Sequence, residues 1–273
     1  MRSLRSLALL FGAAVLAACG EKNAAQNISA PIAGAAVKFF NFGVNDPSVN
    51  FWANEQKLTA GSYAGCSSAA DGTPPSTDTV CVGSGRDTVG TKYGATANGS
   101  GLYSSVTPGA YTLSGRISGV SNHNAPISNT STTIESGKFY SYYLSGIYDA
   151  GTKSVEAFVV EDPLPDLDLT KTYVRFVNAI SNSQPMTLYA KNSTSGDSTA
   201  IGAAVAYKAA GAFVSIPPAN YDLTTRVGGS NAAVITRKAV AFNAGRVYTV
   251  TAYGDITATT GTNKPALDNT ANR

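Results

Sequence analysis

Four short blocks occur twice in this chain, in the same order, and they constrain its fold more than any other feature. Val37-Lys38-Phe39-Phe40-Asn41 is echoed by Val174-Arg175-Phe176-Val177-Asn178, and Val49-Asn50-Phe51-Trp52-Ala53 by Met186-Thr187-Leu188-Tyr189-Ala190 at the same offset. Ser105-Val106-Thr107-Pro108-Gly109-Ala110-Tyr111-Thr112-Leu113 matches Ser215-Ile216-Pro217-Pro218-Ala219-Asn220-Tyr221-Asp222-Leu223, and Gly137-Lys138-Phe139-Tyr140 matches Gly245-Arg246-Val247-Tyr248. A repeat of this length is one structural unit used twice. The blocks alternate with period two, which reads as strands. Val37, Phe39, Val174 and Phe176 share one face, and Lys38 and Arg175 take the other. One buried and one wet face is expected of an antiparallel sheet. Gly, Pro and Asn turns separate the strands, and no amphipathic helix follows residue 18, so the fold class is all-β. We expect two tandem antiparallel β-sandwich domains, 35–160 and 172–256.

The N-terminus sets the location. Arg2 and Arg5 precede an apolar run ending in Leu16-Ala17-Ala18-Cys19. A charged start, a short apolar run and small residues at the cut form a secretory signal, too short to span a bilayer. The Leu-Ala-Ala-Cys end resembles a bacterial lipobox. That implies cleavage of the signal peptide 1–18, acyl chains on Cys19 and a lipoprotein held to the membrane by them. Gly20 follows in place of the aspartate that retains Gram-negative lipoproteins in the inner membrane, so the outer membrane is expected. Residues 19–34, small and polar, read as a flexible tether.

Removing Arg2 and Arg5 from the 20 basic residues leaves 18 against 17 acidic ones. That near-neutral balance gives no argument for nucleic acid as a partner. Besides Cys19 there are two cysteines, Cys66 and Cys81. An even pair in an exported chain reads as a disulfide, one that would contribute about 3 kcal/mol by closing its loop. The large length difference between the copies lies between Asn54 and Tyr93, so the disulfide is expected to staple an insertion. Residues 161–171 hold two prolines and several acids and read as a stiff, solvated linker; 257–273 reads as a disordered tail.

The Val-Arg-Phe-Val-Asn-Ala strand, the Met-Thr-Leu-Tyr-Ala strand and the Pro-Pro-Ala-Asn-Tyr-Asp-Leu segment resemble the domain of unknown function 4397, a family of bacterial exported proteins and lipoproteins. The resemblance covers 172–254 well and 36–146 more loosely, because of the insertion. It implies an immunoglobulin-like or related sandwich and supplies no catalytic residues.

Residues that carry chemistry are sparse. The single histidine, His123, sits among turn-forming neighbours, and Gly196-Asp197-Ser198 falls between two strands and reads as a turn. Glu161, Asp162, Asp166 and Asp168 lie near two prolines that limit their convergence on calcium, so no metal site or cofactor is expected. The sharper candidates are Trp52 and Tyr189, which hold the same repeat position on the face opposite Phe51 and Leu188. Outward aromatics can stack on a sugar or anchor a protein; cover by another element is the plainer alternative. The reading is a non-catalytic envelope module for a glycan or protein partner. An envelope hydrolase with an unrecognised site is the other.

Overall fold

The computed structural model describes residues 34–59, 89–99, 102–119, 121–228 and 230–273. The signal, Cys19, most of the tether, Cys66 and Cys81 lie outside these residues. Among the described residues no helix is long and apolar enough to cross a membrane. Residues 33–273 form one compact unit.

The first copy contributes β1 (Ala35–Asn41), β2 (Val49–Ala53), β3 (Gln56–Lys57), β4 (Ala95–Thr96), β5 (Ser104–Val106), β6 (Gly109–Ile117), β7 (Thr130–Ile134), β8 (Phe139–Asp149) and β9 (Ser154–Glu161). The second contributes β10 (Thr172–Asn178), β11 (Met186–Asn192), β12 (Ser198–Val205), β13 (Ala209–Ala210), β14 (Val214–Ile216), β15 (Ala219–Val227), β16 (Ile235–Phe242), β17 (Arg246–Tyr253) and β18 (Ala266–Ala271). Each copy is a sandwich of two sheets. One is ordered β4-β1-β8-β9 with β5 also on β1, and β13-β10-β17-β18 with β14 also on β10. The other is ordered β3-β2-β6-β7, and β12-β11-β15-β16. The two topologies are the same, strand for strand.

Inside each sandwich the expected faces meet. Val37, Phe39, Phe51, Leu113, Tyr142 and Leu144 fill the first core. Val174, Phe176, Leu188, Leu223, Val250 and Ala252 fill the second. The sheets are not purely antiparallel, however: β1 runs parallel to β8, and β10 parallel to β17. A parallel pair needs a long crossover, and here the other sheet of the sandwich supplies it.

Three further expectations are corrected. The opposite face of β1 and β10 is not wet. Lys38 and Arg175 are 0% and 1% exposed, and Thr249 and Thr251 are equally buried. The reason is a third core between the copies, built from Phe40, Phe42, Tyr143, Phe158, Val177 and Ala179. Its rings stack: Phe40 on Tyr143 at 4.4 Å, Tyr143 on Phe158 at 4.9 Å, and Phe42 on Tyr253 of the other copy at 4.4 Å. The tail is not disordered either. Six of its residues form β18, registered on β17 from Tyr248↔Ala271 to Tyr253↔Ala266, and Leu267 enters the second core. Finally, the linker is solvated except at its second residue: Asp162 is 1% exposed.

Asp162 is buried because the two copies grip each other reciprocally. Arg175 donates from Nη1 to the Glu161 carbonyl at 2.9 Å, from Nη2 to Asp162, and from Nε to Thr249 Oγ1 at 3.0 Å. Asp162 also accepts from Tyr103 (2.5 Å) and Ser141 (2.8 Å). Lys38, at the matching position of the first copy, donates to the Ala271 carbonyl at 2.7 Å and lies 3.5 Å from Asn272 Oδ1. Register makes Glu161 equivalent to Ala271, since each pairs with its copy's tyrosine, Tyr140 or Tyr248. Asp162 and Asn272 are therefore equivalent too. Each copy's cation holds the end of the other copy's last strand, an isologous contact made within one chain.

The two halves differ in charge: Arg175 has a carboxylate, whereas Lys38 has one amide oxygen, one carbonyl and the Tyr103 ring at 4.4 Å. Burial brings the Lys38 pKa down to about 8 from 10.5; Asp162 opposes the shift and Arg175 adds to it. Between these pH values the unfolded chain binds a proton that the folded one releases, so stability rises with pH. We expect the unfolding free energy of the wild type, relative to Lys38→Met, to increase as pH goes from about 8 to 10. Urea titrations read by Trp52 fluorescence check this; a constant difference would mean that Lys38 is solvated.

Candidate functional site

Alternation along β2 sends Val49, Phe51 and Ala53 inward and leaves Trp52 on the outer face, as expected. Trp52 pairs with Ser114 of β6, and the next outward residue on β6 is Arg116. Diagonal neighbours on a sheet lie within reach of long side chains. The Arg116 guanidinium sits 4.6 Å from the Trp52 ring centroid, and Lys57 Nζ lies 5.2 Å from it. Two bonds to Glu55, at 2.9 and 3.0 Å, and one to the Asn54 carbonyl at 3.1 Å fix the guanidinium. The bond from Arg116, and then its charge, hold the Glu55 carboxyl below its ordinary range. Trp52 is left 8% exposed. It is an aromatic under a cation lid, not an open shelf.

The second copy repeats the arrangement. Tyr189 pairs with Thr224 of β15, and Arg226 lies 4.2 Å over its ring. Tyr189 is half-buried. Arg116 and Arg226 each come three residues after the matched Leu113 and Leu223. Extending that block along the sequence would have found them. An arginine over an aromatic contributes about 0.5–2 kcal/mol and fixes the ring in place.

Further along the same outer face, β6 and β7 carry a shallow depression of about 520 Å³, which Trp52 itself does not line. Its walls are Asn54, Ala110, Tyr111, Thr112, Ser131, Thr132 and Thr133. Asn54 is locked in place, accepting from the Thr112 amide and donating its own amide to the Thr112 carbonyl, both at 2.9 Å. The lining is neutral, with short hydroxyls and amides that both donate and accept. Its chemistry suits the hydroxyl groups of a sugar better than a charged ligand.

The remaining candidates fall elsewhere. His123 lies in a turn with Nδ1 3.0 Å from the Ser118 carbonyl. Ser195 and Asp197 close the connection between β11 and β12 on each other, Oγ to Oδ2 at 2.7 Å; Gly196 and Asp197 lie in that connection, between two strands as read, and Ser198 opens β12. In the acidic cluster, Asp162 is committed to Arg175 and Asp168 is held by Thr170.

Strand order, register and buried cations all follow a two-copy pattern, and comparison with known proteins agrees with it. No curated protein matches the chain. The family model described as "Domain of unknown function (DUF4397)" matches residues 75–189 and 172–272. The second match spans β10 to β18, including the strand in the tail. With the greater part of its length matched by that model, the chain belongs to the DUF4397 family.

Proposed function

We propose that the protein is a lipid-anchored, non-catalytic binding module of the bacterial outer membrane that takes a glycan on the outer face of its first sandwich. The lipobox at Cys19 supports the anchor, and Gly20 supports the outer membrane. The observation that carries the binding reading is the pairing of a cation-capped aromatic, Arg116 over Trp52, with a neutral hydroxyl-lined depression on the same sheet face. Sugars are held by an aromatic edge or face together with hydrogen bonds to their hydroxyls. Joining of the two sandwiches by a buried core presents this face from a rigid body, which limits the entropy lost on binding.

The test uses the full-length protein in detergent micelles on a glycan microarray. Ser131 is exposed on the depression's wall, so Ser131→Arg should change stability by no more than about 0.5 kcal/mol while filling the site. We expect the wild type to bind a defined glycan class and Ser131→Arg to lose at least about tenfold in affinity. A silent array, with an envelope protein crosslinked to this face instead, would replace the glycan with a protein partner.

A further inference from the structure

The loop after β1 differs between the copies in a way the repeat does not require. Asn41 and Asn178 are equivalent, which makes Gly43 equivalent to Ile180 and Asp46 to Ser183. In the second copy this corner is closed. Ile180 is buried in the core, and Ser183 Oγ donates to the Ile180 carbonyl (3.0 Å) and accepts from Asn178 Nδ2 (3.0 Å). Asn178 Oδ1 accepts from the Ile180 amide (3.0 Å) and lies 3.4 Å from Ser183 Oγ.

In the first copy the backbone turn is kept, with the Asp46 amide on the Gly43 carbonyl at 3.0 Å. The side chains are exchanged for a set with too many acceptors. Asn41 is fully buried and spends its amide on the Pro47 and Thr91 carbonyls, at 3.1 and 2.9 Å. Among the described residues its Oδ1 has no partner, and neither has either oxygen of Asp46, a carboxylate 8% exposed. The Tyr93 hydroxyl, on the 91–94 segment that wraps Asn41, is also unpartnered among the described residues. Glycine is needed at 43, because a Cβ there would stand 2.1 Å from Asp46 Oδ2. An isolated buried carboxylate is costly, and buried unsatisfied oxygens point to a bound ion or water.

We propose that Asp46 and Asn41 form a calcium site at the end of β1, special to the first copy. Hard cations are bound by oxygen alone, from carboxylate, amide and water. The two Asp46 oxygens and Asn41 Oδ1 supply the protein side, and water completes the shell. One carboxylate makes a weak site, in the range of about 10⁻⁴–10⁻³ M found in extracellular modules. Without the ion, burial holds the Asp46 pKa up at about 8. This site is independent of the glycan reading.

Thermal unfolding of the full-length protein in detergent, in EDTA and in about 10 mM calcium chloride at pH 7.5, tests the proposal. Calcium should raise the wild-type Tm by about 3–8 °C. Asp46→Ser, which copies the second copy's residue, should show no calcium response and a higher Tm than wild type in EDTA. Asp46→Asn is the second variant should Ser disturb the loop. An equal calcium shift in the Asp46 variants would overturn the proposal. So would no shift in wild type.

Discussion

Asp162→Ala should destabilise the protein by about 3–5 kcal/mol, the cost of leaving a buried charge without its partner. Arg175 is 1% exposed; Tyr103 and Ser141 would lose their acceptor in the same step. Against a whole stability of about 5–15 kcal/mol, this is among the largest single-residue effects expected here. Removing both charges should cost far less. In Asp162→Leu combined with Arg175→Met the desolvation penalty disappears along with the attraction, and well-packed apolar replacements of buried pairs are often neutral. Urea denaturation of the two single variants and the double variant forms the cycle. A single-variant loss below about 1 kcal/mol, the range of an exposed pair, would place Asp162 and Arg175 in solvent.

Ending the chain at Lys264 should unfold the second sandwich. This deletion removes all of β18, which covers β17 along six residue pairs. Leu267 leaves the core, an omission of a kind that costs about 2–5 kcal/mol. Arg237 loses the Leu267 carbonyl at 2.7 Å, and buried Lys38 loses the Ala271 carbonyl. The sum approaches the stability of a whole domain. Limited proteolysis should cut the shortened chain within 172–264 under conditions that leave the full chain intact. Survival of that segment, with an unchanged Tm, would return residues 257–273 to the role of a dispensable tail.

The β18 error has a physical origin in the sequence. Ala266-Leu267-Asp268-Asn269-Thr270-Ala271 has one large apolar residue and no strong β-formers, so local propensity reads it as disordered. The clue was the repeat. The first copy needs a ninth strand after β8, Ser154–Glu161, and a second copy of the same unit needs one after β17. Propensity prevailed where topology held the answer. The same holds for Arg116 and Arg226, ordinary surface arginines by composition, whose matching distance from Leu113 and Leu223 places them over Trp52 and Tyr189.

By itself the sequence determined the two-copy plan, the strands of the repeated blocks, the inward residues of each sandwich and the outward position of Trp52 and Tyr189. These follow from side-chain alternation, a local property of an extended chain. Only the tertiary structure decided what the other face of β1 and β10 meets. Lysine, arginine and threonine on alternate positions look the same whether water or a second sheet lies against them. They are buried here because each copy presents its cation to the end of the other's last strand, and that match of partners far apart in the chain exists only once both copies have folded.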